Sequence, residues 1–397
     1  MRLTRRHAIQ TGALALLGAA VSADLPWQAW CELSRQGLAA LGAARGMKVG
    51  IQCGTGRFAQ PVLGPFLQAN FNLVTAPLKW TSLRPAADRF DFTEADRQFA
   101  DAKSYGFAIH GHNLCWNTSN PAWFDTVLNR QNARDYLAGH IATVAGRYRG
   151  KVDSWDVVNE PIATWNKRPD GLRTGPWLDF IGPEYLDLAF HTAAAADPSS
   201  LRTLNLNGCE DQTSAGEATR AASVALVKSL LKRGVPLQAV ALEAHIDAPW
   251  HANDAAYINF IRALHDCGVE VYVSELDVND TAIRGTEAQV KAAVAQTYRD
   301  YLIDALSAIP LKRLIFWSMS DRFDWYGELA ATQPRWRRPD GQPHHLGLTD
   351  ENFAPNPAYY SVAAVLANRT GTPGAEKKSQ SIYHPEGTSH ANRTHLS

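Results

Sequence analysis

Two glutamates stand at the ends of short apolar runs. Glu160 follows Ser154-Trp155-Asp156-Val157-Val158-Asn159 and precedes Pro161, and Glu275 lies within Val271-Tyr272-Val273-Ser274-Glu275-Leu276-Asp277. They are far apart in the chain, so only a closed tertiary fold brings them face to face. A protonated carboxyl and a carboxylate so placed can flank a glycosidic bond and split it by two successive displacements. A lone glutamate after a strand ordinarily caps a helix or holds an ion pair. Two of them, each in a distinctive string, point to a shared basin.

The elements that must position this pair alternate eight times. Strand-like runs cover Met47–Cys53, Phe71–Pro77, Phe107–Cys115, Ser154–Glu160, Thr203–Gly208, Val240–Asp247, Val269–Val278 and Leu314–Met319. Their nearly unbroken apolar character fits parallel strands covered on both faces. Helical patterns with readable ends lie between them. Thr93-x-x-Asp96 opens one that closes at Gly106, and Asn132 caps another that runs to Tyr148. Pro183 suits a first helical position, with Pro198 past that helix's end, and Thr286-x-x-Gln289 is a capping box. Eight β-then-α units predict an α/β protein: a (β/α)8 TIM barrel forming a single catalytic domain. A doubly wound open sheet is the competing arrangement, but no Gly-rich dinucleotide loop follows the first strand. In a barrel the C-terminal strand ends line the active site. Glu160 and Glu275 then belong to the fourth and seventh units.

Composition narrows the ligand. Among 397 residues, Lys+Arg and Asp+Glu balance at 39 each, so no net field favours nucleic acid or an anionic membrane. The 12 tryptophans suit stacking on sugar rings, with core filling as their competing role. Residues 1–23 look like a twin-arginine signal: Thr4-Arg5-Arg6-His7-Ala8-Ile9 precedes an apolar run from Ala13 to Ala20, with cleavage near Ala20 or Ala23. That predicts passage through the twin-arginine export machinery to the periplasm or beyond. The run is too short for a stable membrane anchor. Residues 24–368 form the expected domain, and 369–397, which lose the apolar periodicity, read as a disordered tail. The five cysteines are scattered and odd in number, and read mostly as buried hydrophobes. No ligand-like clustering of histidines is visible, so neither metal nor cofactor is expected.

The strings Trp155-Asp156-Val157-Val158-Asn159-Glu160-Pro161 and Ser274-Glu275-Leu276-Asp277 resemble the two signatures of glycoside hydrolase family ten, mostly endo-1,4-β-xylanases. Lys79-Trp80, Gly111-His112-Asn113-Leu114-Cys115-Trp116, Glu243-Ala244-His245, Phe316-Trp317-Ser318, Asp324-Trp325 and Pro357-Ala358-Tyr359-Tyr360 match in the family's order, so the likeness covers about residues 45–366. It implies an enzyme that hydrolyses internal β-1,4-xylosidic bonds of xylan with retention. Glu160 would be the acid/base and Glu275 the nucleophile. His245 and Asp277 would support the nucleophile, and Asn159 would donate to the 2-hydroxyl of the sugar. Lys79, His112 and Asn205 would bind glycone hydroxyls, with Trp116, Trp317 and Trp325 as apolar walls.

Three departures bear on specificity. Thr75-Ala76-Pro77-Leu78-Lys79-Trp80 is shorter than the family's segment and lacks its Glu-Asn pair. Asn117 replaces the common histidine after Trp116, and Glu243 stands where the family has glutamine. The last adds a carboxyl near the nucleophile, able to oppose ionisation of Glu275 or to hold a proton itself. Two other readings follow from the departures: a retaining glycanase on another or decorated oligosaccharide, and a non-catalytic carbohydrate-binding barrel. Trp336 and the run Arg335-Trp336-Arg337-Arg338 either touch substrate or cover the barrel mouth.

Overall fold

The computed structural model describes residues 36–367 apart from 55 and 59. The expected export signal at residues 1–23, Cys31 and the expected tail at 369–397 lie outside the described residues.

Nine strands run in parallel: β1 (Lys48–Gln52), β2 (Leu73–Pro77), β3 (Ala108–His112), β4 (Ser154–Asn159), β5 (Leu201–Leu206), β6 (Ala239–Leu242), β7 (His245–Asp247), β8 (Glu270–Asn279) and β9 (Arg313–Phe316). From β1 to β6 and from β7 to β9 each strand pairs with its chain neighbour, β9 returns to β1 with Val49 opposite Leu314, and β6 pairs β8, which closes the ring. Both β6 and β7 lie along β8: Ala239–Leu242 face Glu270–Val273, and His245–Asp247 face Asp277–Asn279. They are therefore two halves of one stave, and the barrel has the eight units expected. The predicted strand Val240–Asp247 is broken at Glu243-Ala244, where Ala244 takes a left-handed φ of 62° that no β-ladder accommodates.

The strands that carry the two glutamates are irregular near their C-terminal ends. The β4–β5 register shifts between Asp156 and Val158, and the β8–β9 register between Val273 and Leu276. Such bulges re-aim side chains that strict alternation would bury or expose. At the opposite mouth, Asp153 receives Arg313 (Nη2–Oδ2 2.9 Å) and Lys48, and Arg313 also pairs with Glu270. This ties the starts of β1, β8 and β9 to the approach of β4, at the end of the barrel that serves stability.

Helix ends follow the sequence in part. The Thr286–Gln289 capping box forms in both directions and opens the helix Glu287–Ala308. Thr93, expected as a cap, is instead the first residue of the helix Thr93–Ser104; its N–H is taken by Asp91 Oδ1 at 3.0 Å. Asn132 holds the N-cap position of Ala133–Arg147, but its Oδ1 accepts from Asn129 N–H at 2.8 Å rather than from the helix. Pro183 lies ahead of its helix, which starts at Tyr185 after Glu184, since a turn from Gly182 precedes it. The run after β9 packs against the segment that follows β8 and against the helix that carries Tyr326. Arg338 is buried in ion pairs with Asp280 (3.0 Å) and Asp340 (2.7 Å), and Trp336 packs edge-on against Tyr326. The four cysteines among the described residues are free thiols, three of them buried.

Gly111 lets β3 approach β4. A Cβ there would stand 2.4 Å from the ring of Trp155, itself fully buried. Gly111→Ala is expected to lower stability by about 1–3 kcal/mol through overpacking beside His112, read as a reduced denaturant midpoint. An unchanged midpoint would show that Trp155 has room to shift.

Candidate active site

β4 delivers Asn159 and Glu160 to the mouth. Glu160 has a left-handed φ of 47°, a conformation that costs a non-glycine residue roughly 1–3 kcal/mol and persists where its surroundings hold it. Its N–H donates to Asn205 O at 2.9 Å, and Arg173 Nε donates to its carbonyl at 2.7 Å. β8 delivers Glu275, which is buried. Two side-chain amides bridge the carboxyls. Asn159 Nδ2 donates to Glu160 Oε1 (3.4 Å), and Asn205 Nδ2 donates to Asn159 Oδ1 (2.7 Å) and to Glu275 Oε1 (2.7 Å). Ser274 Oγ donates to Asn205 Oδ1 at 2.7 Å and fixes which end of that amide faces the glutamates.

Histidines surround Glu275. His245 Nε2 lies 3.5 Å from its Oε2, while His245 Nδ1 lies 2.9 Å from Asp277 Oδ1. Trp325 Nε1 donates to Asp277 Oδ2 at 2.5 Å, so Asp277 orients both rings and reaches Glu275 through His245. His112 Nδ1 stands 3.7 Å from Glu275 Oε1 and 2.9 Å from Asp156 Oδ2, an oxygen shared with His110 Nε2 at 2.8 Å.

The two glutamates are driven to opposite proton states. Burial raises the Glu160 carboxyl above its ordinary range. The Arg173 guanidinium opposes that and the charge of Glu275 adds to it, with a net rise. Burial acts on Glu275 in the same direction, but His112 and His245 outweigh it and hold the carboxyl below the ordinary range. For His245, burial disfavours the charged ring, yet Asp277 and Glu275 prevail and raise its pKa well above the usual value. At neutral pH an imidazolium therefore donates from both nitrogens. A carboxylic acid and a carboxylate in one basin can protonate a leaving oxygen and attack a carbon centre.

The walls are aromatic. Trp317 meets His112 and His245 edge-on (5.3 and 6.4 Å between centroids), and Trp325 lies 5.0 Å from His245. Lys79 Nζ sits 5.4 Å from the Trp116 ring. The missing Glu-Asn pair has a structural counterpart: β2 ends at Pro77, Lys79 caps the short helix Trp80–Leu83, and Leu78 between them is fully buried. No polar group is presented from that link. Asn205, expected on sugar hydroxyls, has both amide hydrogens committed to protein acceptors.

Some contributors have no readable sequence signal. Arg173 lies in the loop after β4, with Nη2 2.7 Å from Glu160 Oε2 and its guanidinium 5.0 Å from the exposed ring of Trp165. Asn117 braces this loop: its Nδ2 donates to Arg173 O (3.4 Å) and its Oδ1 accepts from Trp177 N–H (3.1 Å). Asp156 and Ser274 sit inside the two glutamate strings, where a buried acid and a hydroxyl beside the site residues were legible as supports. The fold also gathers histidines that look scattered in sequence, into His110–His112–Asp156 and Glu243–His245–Glu275. In the first, direct hydrogen bonds between the rings and Asp156 use the facing atoms.

A sequence profile described as Glycosyl hydrolase family 10 matches residues 37–365. Endo-1,4-beta-xylanase B of Thermotoga neapolitana is 23% identical over 81% of this chain and 89% of its own length. Endo-1,4-beta-xylanase A of Humicola insolens is 30% identical over 74% and 73%. The crystal structure of native xylanase 10B from Thermotoga maritima superposes with a TM-score of 0.71 at 25% identity, over 83% of this chain and 98% of that one. Xylanase 10B of Thermotoga petrophila, solved in complex with xylobiose, gives a TM-score of 0.71 at 25% identity over 83% and 97%.

Because Arg173 favours the charged form of Glu160, replacing it should leave the carboxyl protonated to higher pH. In Arg173→Met, the Glu160 carboxyl resonance in a carbon-13 NMR titration is expected to move at higher pH than in the wild type. A titration unmoved or moved downward would refute the ion pair's role.

Proposed function

The chain belongs to glycosyl hydrolase family 10, and from that premise we propose that it is an exported, retaining endo-1,4-β-xylanase. The observation that carries the mechanism is a pair of carboxyls bridged by Asn159 and Asn205, with Arg173 against Glu160 and with His112 and His245 against Glu275. Burial drives Glu160 toward the acid, and the histidines drive Glu275 toward the carboxylate. In the first step a Glu275 oxygen bonds to the anomeric carbon, the bond from that carbon to the leaving oxygen breaks, and the Glu160 proton passes to that oxygen. In the second, Glu160 takes a proton from water. The resulting hydroxide attacks the same carbon and the ester bond to Glu275 breaks. Two inversions give net retention.

The surroundings serve these steps. The His245 imidazolium, held by Asp277, keeps Glu275 ionised and oriented. Asn159, fixed by Asn205, is the group positioned for the 2-hydroxyl, a contact that strengthens in the transition state. Trp317 and Trp325 give apolar faces beside the nucleophile, and exposed Trp165 offers one on the acid's side. Xylan as the polymer is supported by the endo-1,4-beta-xylanase relatives and by the xylobiose-bound structure. The buried Leu78 link, without the polar pair, favours a second reading on specificity: short or decorated oligosaccharides, because one glycone site holds less of the substrate.

Glu275→Ala is expected to reduce xylan hydrolysis on the order of 10⁴-fold or more. Glu160→Ala should lose much more activity on xylan than on a dinitrophenyl xylobioside, whose leaving group needs no proton. Proton NMR of the first product should show the β-anomer; an α-anomer would overturn retention. For export, Arg5→Lys with Arg6→Lys should leave the protein in the cytoplasmic fraction, and undisturbed export of that variant would exclude the twin-arginine route.

A further inference from the structure

Asn205 Nδ2 carries two hydrogens and faces three acceptors. Asn159 Oδ1 and Glu275 Oε1 lie at 2.7 Å, and Glu243 Oε1 at 3.2 Å. The two short contacts use both hydrogens. Glu243 is 3% exposed, and the donor on its carboxyl is Asn205 Nδ2 at Oε1. The cation nearest its Oε2, His245 Nε2 at 3.8 Å, is closer to Glu275 Oε2 at 3.5 Å. An ionised Glu243 would thus be a buried carboxylate with one long, shared donor, set beside a second carboxylate.

We propose that Glu243 is a third carboxyl of the site, held as the neutral acid, which presents its Oε2 hydroxyl as a hydrogen-bond donor to the sugar seated beside Glu275. Burial and three neighbouring carboxyls favour that state. Glu160 from the end of β4, Glu210 from the loop after β5 and Glu275 from β8 all disfavour its charge. His245 from β7 and the Asn205 amide favour it, but burial dominates, so the carboxyl is raised well above its usual range. The break between β6 and β7 puts Glu243 there: Glu275 N–H donates to Glu243 O (3.1 Å), and the left-handed Ala244 ends the regular strand. Loss of the proton at alkaline pH would remove a donor from the sugar and put a second charge beside the nucleophile. This inference rests on the glycosidase reading above.

The decisive substrate is dinitrophenyl β-xylobioside, because its leaving group departs without the Glu160 proton and the alkaline limb of kcat/KM then reports the nucleophile side. Glu243→Gln keeps a neutral donor that cannot ionise. At roughly pH 9 it is expected to retain about tenfold more of its own neutral-pH kcat/KM than the wild type retains of its own. Identical limbs would assign the alkaline loss to His245 and overturn the proposal. An infrared difference spectrum between wild type and Glu243→Gln at neutral pH supplies a readout free of turnover. A protonated-carboxyl band present only in the wild type supports the proposal, and a carboxylate band in its place overturns it. If the wild type cleaves no xyloside, the functional reading fails, and the infrared result still decides the proton on Glu243.

Discussion

The site depends on one amide. Asn205 stands on β5 between β4, which carries Asn159 and leads into Glu160, and the stave that carries Glu243, and its Nδ2 reaches across to Glu275 on β8. Buried acceptors this close would repel one another without a shared donor, and a buried amide left without partners would itself be costly. Ser274 Oγ on the far side of the amide fixes its orientation. The glutamates are therefore held through a rigid polar bridge, in a network where each short hydrogen bond constrains the next.

From that bridge the electrostatics divide. On one side lie burial and the neighbouring charge of Glu275, which raise the Glu160 carboxyl against the pull of Arg173. On the other lie His112 and His245, which keep Glu275 charged although burial opposes it. The histidines act because they are anchored: Asp156, fully buried, holds His110 and His112, and Asp277 holds His245 and Trp325. Each outer carboxylate thus acts on the chemistry through the ring it orients. Backbone irregularity belongs to the same arrangement, since the left-handed residues Glu160 and Ala244 and the shifted registers of β4 and β8 all occur where side chains must point into the mouth.

Much of this was legible beforehand. Apolar runs such as Val269–Val278 and Leu314–Met319 mark strands because a strand covered on both faces cannot tolerate polar interruption, and all eight expected units are present. The capping box at Thr286 was readable because its partners are local. Thr93 and Asn132 were not, because the helix takes Thr93 in as its first residue with its N–H held by Asp91 Oδ1, and the turn before the next helix claims Asn132 Oδ1 through Asn129 N–H. Arg173 was invisible for a related reason. A basic residue in a loop carries no sign of its partner, and its meeting with Glu160 depends on how Asn117 and Trp177 pin that loop.

The sequence by itself determined the eight-unit barrel, the strings that set Glu160 and Glu275 at the ends of the fourth and seventh units, and the presence of a carboxyl at position 243, because periodicity, motif spacing and residue identity are local properties. Only the tertiary structure decided how protons are shared among those carboxyls. Proton occupancy depends on burial and on charges contributed by strands far apart in the chain. It took the closed barrel to put Asn205, His112, His245 and Arg173 within a few ångströms of the glutamates, and so to make one an acid and another a base.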